Sequence, residues 1–162
     1  MALLACAAVL GVAHAFETFG HMAPCELCLK ERQIYWAAGT VAAIAMVLSF
    51  TPKGALAVRI ANVLLVILFF YSAAVASYHA GVEWKWWPGP ASCSGGSTHI
   101  DAGDLTAFLK GGPRAMPNCD KAAWVYLGLS MAGWNAVVSL GLAAASALAA
   151  AQGKRAPVGG LL

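Results

Sequence analysis

Residues 56–78 read LAVRIANVLLVILFFYSAAVASY, and Arg59 is the single charge in the stretch. A helix rises 1.5 Å per residue, so an apolar run of this length covers the roughly 30 Å hydrocarbon core of a bilayer. The short turn Thr51-Pro52-Lys53-Gly54 joins it to a second apolar run over 33–50, which makes the two an antiparallel pair. A further run covers 1–19, interrupted only by His14 and Glu17 near its end. The last, over 122–151, is rich in Ala and Gly and carries Ser130, Asn135, Ser139 and Ser146 for close helix packing and interhelical hydrogen bonds. The 162-residue chain is 60% hydrophobic and only 10% charged, against about 25% charged in a soluble domain, and its mean hydropathy is +0.71. These values exclude a soluble globule. We expect one all-α membrane domain over 1–162, a four-transmembrane-helix bundle with spans at about 1–19, 33–50, 56–78 and 122–151. A cleaved signal peptide, with Ala13-His14-Ala15 as its cleavage site, is the competing reading of the first run, although the basic n-region is missing.

Charge placement sets the orientation. Lys53, Arg59, Lys154 and Arg155 fall on one side with no acidic neighbour, whereas all seven carboxylates fall toward the other, Glu17 at the far end of the first run and the rest in the connections. The positive-inside rule makes the Lys53 side cytoplasmic, and with it both termini. The outward connections are then a short one, 20–32, and a long one, 79–121, and four of the five cysteines lie in them. That conclusion holds whether or not the first run is removed. Thiols on that face meet an oxidising compartment. The net charge of +3 includes no basic cluster, so no nucleic-acid partner is expected.

The long connection has its own landmarks. Trp84, Trp86 and Trp87, followed by Pro88 and Pro90, read as an aromatic belt at the bilayer surface. Asp101 and Asp104 precede Leu105, Phe108 and Leu109, and Gly111-Gly112-Pro113 ends the pattern. Together they describe a short amphipathic helix lying on the membrane.

Cys25-Glu26-Leu27-Cys28 is a CxxC just ahead of the second run, Cys93 and Cys119 stand apart in the long connection, and Cys6 is alone within the first run. Cys6 reads as a small hydrophobe. The other four allow three pairings, and spacing does not choose among them. They are either two structural staples or two redox-active pairs. Local chemistry favours redox, because a thiolate is the nucleophile in exchange and is stabilised at helix N-termini, beside cations and in CxxC motifs. A helix starting near Pro24 puts Cys25, Cys28 and Arg32 on one face, which gives Cys28 all three influences. A tetrathiolate zinc site needs two close-spaced knuckles and only one exists; His21, His79 and His99 show no ligand spacing, so no metal is expected.

Three tracts carry a family resemblance: Pro24-Cys25-Glu26-Leu27-Cys28-Leu29-Lys30-Glu31-Arg32; Tyr78-His79-Ala80-Gly81-Val82-Glu83-Trp84, leading through Trp87-Pro88-Gly89-Pro90 to Cys93; and Cys119-Asp120, leading into Leu127-Gly128-Leu129-Ser130-Met131-Ala132-Gly133-Trp134-Asn135. Together they resemble the DsbB family of bacterial inner-membrane disulfide-forming oxidoreductases. The resemblance implies a protein-dithiol:quinone oxidoreductase whose soluble partner is a periplasmic thioredoxin-fold oxidase of the DsbA type. Cys93 corresponds to the residue that forms the mixed disulfide with that partner, and Cys119 to the one that leaves. Cys25 corresponds to the residue that exchanges with Cys119, and Cys28 to the one that meets a quinone, ubiquinone or menaquinone, drawn from the membrane pool. Arg32 matches the arginine beside the quinone, and His79 resembles a histidine near the same pocket.

The potentials known for that chain show why a lipid-soluble acceptor is needed. Its oxidase lies near −120 mV and a glutathione pool near −240 mV, so delivering electrons to glutathione disulfide runs uphill by about 5.5 kcal/mol. Two other readings are weaker. The vitamin K epoxide reductase family also handles quinones through a helical bundle, but its CxxC follows the loop cysteines, whereas here it precedes them. A non-enzymatic scaffold with two structural disulfides requires all four outer thiols to resist mild reductant.

Overall fold

The computed structural model describes residues 1–90, 93 and 119–152. They form helices α1 (Ala2–Thr18), α2 (Glu26–Leu48), α3 (Gly54–Glu83) and α4 (Met131–Gln152), with strands β1 (Val125–Tyr126) and β2 (Leu129–Ser130) just ahead of α4. The expected amphipathic helix over 101–113, His99, Lys154 and Arg155 lie outside the described residues. Among the described residues α3 and α4 are long and apolar enough to cross a membrane, and α1 is a shorter apolar helix.

Each helix starts and stops for a local reason. α2 begins well before the apolar run at Gln33, because Cys25 takes the N-cap with extended backbone and its Sγ accepts the Cys28 N–H at 3.3 Å. Glu26 in the first turn complements the positive end of the helix, and Lys30 pairs with it at 2.8 Å one turn on. The α2–α3 turn closes as expected, with Thr51 Oγ1 donating to the Leu48 carbonyl at 2.7 Å and Gly54 N–H to the Thr51 carbonyl at 2.9 Å. Helix α3 runs past Tyr78, so His79 and Glu83 are helical rather than part of a connection.

The last apolar run departs from expectation. It is helical only from Met131, because residues 125–130 fold into an antiparallel hairpin pairing Val125 with Ser130 and Tyr126 with Leu129. Its two loop residues, Leu127 and Gly128, have φ of 51° and 80°. Positive φ at both positions is the geometry whose twist suits a two-residue hairpin. Trp134 Nε1 donates to the Tyr126 carbonyl at 3.0 Å and ties the hairpin to α4.

Helix α3 is the centre of the bundle. Ala61, Leu65, Phe69, Ser72, Ala76 and His79 are buried at spacings of three and four, one face of the helix. The mid-bundle core collects Cys6 and Leu10 from α1, Tyr35 and Ala38 from α2, Leu65 and Phe69 from α3 and Ala143 from α4. Cys6 is 1% exposed and packs there as a small apolar residue. The polar groups buried among these side chains bond to one another: the Tyr35 hydroxyl donates to Asn135 Oδ1 at 2.8 Å and lies 2.8 Å from Ser139 Oγ, which lies 3.0 Å from Ser72 Oγ.

At the end of α3 the chain folds back on itself. Trp87 lies against Gly81 so closely that a methyl group there would sit 2.1 Å from the indole. Trp87 Nε1 donates to the Tyr78 carbonyl at 3.0 Å, and the two rings stack with centroids 6.0 Å apart. Trp84, Trp86 and Trp87 touch in series and are all exposed.

Candidate functional site

A second apolar cluster lies at the CxxC end of the bundle, made of Cys25, Leu27, Val82, Cys93 and Cys119, with Cys28 packed against it. The cysteines of the short and the long connection are therefore gathered into one place. Cys93 and Cys119 form a disulfide, with Cα atoms 5.1 Å apart. Cys25 and Cys28 are free thiols with their sulfurs 2.7 Å apart, Cys25 buried and Cys28 partly open. Lys85, just past α3, pairs with Asp120 and fixes the segment carrying Cys119; this cation holds the Asp120 carboxyl below its ordinary range.

The two inner thiols differ in a way the spacing did not show. The cap position, and the backbone N–H that points at a sulfur, belong to Cys25 and not to Cys28. Both residues precede the apolar run of α2. The hydrogen bond from Cys28, supported by the backbone N–H, lowers the Cys25 pKa, whereas that same bond together with burial raises that of Cys28. The first negative charge on the pair thus resides on Cys25.

Around these sulfurs runs a chain of buried polar contacts. His79 Nε2 is 3.6 Å from Cys25 Sγ, and His79 Nδ1 is 2.8 Å from Glu31 Oε1. With Nδ1–H donating to the carboxylate, Nε2 is left to accept a proton from Cys25. Asn135 Nδ2 donates to the second Glu31 oxygen at 2.7 Å, and Asn135 Oδ1 receives the Tyr35 hydroxyl. The network therefore runs unbroken from the mid-bundle core to the thiols. Glu83 reaches to 3.9 Å from His79 Nε2, and its Oε2 is buried without a hydrogen-bond partner among the described residues.

The same groups border a cavity of about 640 Å³, in the range usual for small-molecule sites. Its walls are mostly apolar, including Val12 and Phe16 of α1, Trp124 and Tyr126 near the hairpin, and Val138 of α4; its polar end holds Cys28, Glu31, Arg32 and His79. Arg32 does not contact the thiols through a hydrogen bond in this arrangement: Nη1 donates to Glu17 Oε2 at 2.5 Å and Nη2 to the Ala13 carbonyl at 3.1 Å. All six residues singled out from the sequence, Cys25, Cys28, Arg32, His79, Cys93 and Cys119, belong to the thiol cluster or line the cavity. Sequence reasoning gave no part to Glu31, Glu83, Tyr35 and the hairpin aromatics. Glu31 had one available signal, a carboxylate three residues after Cys28 at the edge of an apolar run. Tyr35 is on the same helix as Cys28 but two turns into an apolar run, and Glu83 and Tyr126 stand on other elements, where no local pattern links them to the thiols.

Comparison with known proteins agrees with this geometry. The family model "Disulfide bond formation protein DsbB" matches residues 1–149. The chain is similar to a Disulfide bond formation protein B of Methylococcus capsulatus (strain Bath), 30% identical over 153 residues, which cover 91% of this chain and 89% of the relative. It is also similar to the Disulfide bond formation protein B of Azoarcus sp. (strain BH72), 28% identical over 151 residues, covering 93% and 88%. No solved structure matches. Two cysteine pairs in one buried cluster beside an apolar cavity, and a family match over nearly the full length, lead to one conclusion: the chain belongs to the DsbB family.

Proposed function

We propose that the protein is a disulfide-forming oxidoreductase of the bacterial inner membrane, with four spans, both termini cytoplasmic and the cysteine connections periplasmic, and that it oxidises a soluble DsbA-type dithiol at the expense of a membrane quinone. The observation that carries this reading is the packing of Cys25, Cys93 and Cys119 in one cluster, with Cys28 at the wall of the apolar cavity.

The steps balance as two exchanges in series. A thiolate of the reduced partner attacks Cys93 Sγ, the Cys93–Cys119 bond breaks, and Cys119 leaves as thiolate. The partner's second thiolate then attacks the mixed disulfide, so the partner departs oxidised and both outer cysteines are reduced. Cys119 next attacks Cys25 of the bridged inner pair and Cys28 leaves; Cys93 resolves the new bond and restores the outer disulfide. Two electrons have moved inward. Bridged outer cysteines and free inner ones are the distribution this sequence leaves behind.

A quinone, when bound, supplies a two-electron, two-proton acceptor. The cavity fits such a ligand, because its walls match an isoprenoid-like tail and its polar end gathers hydrogen-bonding groups around Cys28. At that end Cys28 faces the ligand, and Arg32, with five N–H donors, positions and stabilises developing negative charge. His79 takes the Cys25 proton at Nε2 while Glu31 holds its ring. Apolar walls exclude water from the thiolate.

The test is purified protein mixed with a reduced DsbA-type oxidase and a soluble quinone, followed by quinone absorbance. Cys28→Ala and Cys93→Ala each stop turnover, and steady quinone reduction by either variant contradicts the assigned roles. Arg32→Ala raises the quinone concentration needed for half-maximal rate by about tenfold, the equivalent of 1.4 kcal/mol, with exchange between the two cysteine pairs retained. An unchanged quinone dependence removes Arg32 from the site.

A further inference from the structure

The electron path uses the inner thiols one at a time, yet their surroundings resemble a metal site. Cys25 Sγ, Cys28 Sγ and one ring nitrogen of His79 all lie within 4.8 Å of one another. Tetrahedral zinc with bonds of about 2.3 Å to sulfur and about 2.0 Å to nitrogen places a sulfur and a nitrogen about 3.6 Å apart and two sulfurs about 3.8 Å apart. The Cys25 to His79 distance of 3.6 Å already has that value. The sulfurs, at 2.7 Å, must separate by about 1 Å, which a rotation of the partly open Cys28 side chain provides.

Two carboxylates complete the pattern. His79 donates its other ring nitrogen to Glu31, the arrangement that orients a metal-bound imidazole. Glu83 has a side chain only 6% exposed, with one oxygen 3.9 Å from His79 Nε2 and the other without a hydrogen-bond partner among the described residues. A buried carboxylate oxygen with nothing to bond is expensive to maintain, and a cation beside it removes that cost. No local pattern points to this set, since His79 is 51 positions beyond Cys28.

We propose that the reduced inner pair binds a thiophilic divalent cation of the zinc class through Cys25, Cys28 and His79, with water as the fourth, oxygen ligand, Glu31 orienting the histidine and Glu83 supplying negative charge beside it. Binding displaces the two thiol protons and involves no electron transfer. Because both sulfurs are ligands, metal and the Cys25–Cys28 disulfide exclude each other, so free zinc outside the cell holds the inner pair reduced and stops the relay. This reading concerns the thiol state alone and stands whether or not a quinone is the acceptor.

The experiment uses the full chain in detergent, reduced with a phosphine, and cobalt(II) as a spectroscopic stand-in for zinc. One equivalent binds with thiolate-to-cobalt charge-transfer absorption, and zinc displaces it. A chain with the inner pair oxidised shows no such band. His79→Ala and Cys25→Ser weaken binding by at least about 100-fold and Glu31→Gln by about 10-fold, while Cys6→Ser binds like the native chain. A missing band in the reduced native chain, or His79→Ala binding with native affinity, overturns the site. Zinc-edge absorption on the native protein decides the ligand set without any variant: two sulfurs with nitrogen and oxygen support it, and four sulfurs, or none, overturn it.

Discussion

The mid-bundle and the cysteine end both bury polar groups, but they treat them differently. In the mid-bundle Tyr35, Ser72, Ser139 and Asn135 bond to one another, and Tyr35, Ser72 and Ser139 are at most 2% exposed. At the cysteine end Glu83 Oε2 and Asp120 Oδ1 are buried without hydrogen-bond partners among the described residues, and two free thiols lie beside a disulfide. A closed network fixes one packing arrangement. An open one leaves bonding capacity for something that arrives later, which is what exchange chemistry needs. Asn135 and Glu31 join the two regions, so the rigid half holds the reactive half in register.

The largest expected contrast comes from Cys25→Ala. Turnover falls on the order of 10³-fold or more, as when a nucleophile is removed, while the mixed disulfide with a reduced oxidase still forms at Cys93 and is visible on a non-reducing gel. Loss of both would show that the two pairs do not act in series. Phe69→Ala should do the reverse: fully buried in the core, it lowers stability by about 3 kcal/mol. Thermal unfolding in detergent reads that loss, and the Cys93–Cys119 exchange rate measured well below the transition stays native. If both change together, the halves are one unit.

Subtler substitutions sharpen the division. Cys28→Ser weakens the strongest influence on Cys25, so the pH at which Cys25 becomes alkylatable moves upward toward that of an ordinary thiol; an unchanged profile shows that the cap N–H alone sets it. Tyr35→Phe leaves Asn135 and Ser139 each short of a partner and should lower stability by about 1 kcal/mol, with no change in the alkylation profile of Cys25. The smallest effect is at the tether. Asp120 has a folded pKa below its unfolded one, so its pairing with Lys85 stabilises the fold at pH above the ordinary carboxylate value of about 3.9 and is lost as pH falls through the lower folded value. Asp120→Asn should therefore unfold earlier than the native chain near neutrality and converge with it in acid. A gap that persists in acid assigns the tether to packing.

Much of this was legible in the residues, for definable reasons. Apolar runs report helices because burial in lipid or core demands them; α1 follows its run closely, whereas α3 continues five residues past its own. The start of α4 escapes a hydropathy reading because Val125 and Tyr126 continue an apolar tract, and only Leu127-Gly128 marks the hairpin. The CxxC was visible, but the thiol holding the cap depended on where α2 begins. His79 was assigned to the ligand pocket, yet its links to Cys25 and Glu31 span 54 and 48 positions and leave no local pattern. Glu83, a surface charge by its neighbours in sequence, is drawn inward by one further turn of α3.

The indole laid over Gly81 has one more consequence, for reach. Cys93 is only six positions beyond Trp87, so while that ring stays docked the chain lets Cys93 travel no more than about 20 Å. Cys119 is leashed even more tightly, with Asp120 clasped by Lys85. Of the two, Cys93 has the longer leash and Cys119 the shorter, which is the division that the proposed relay asks of them.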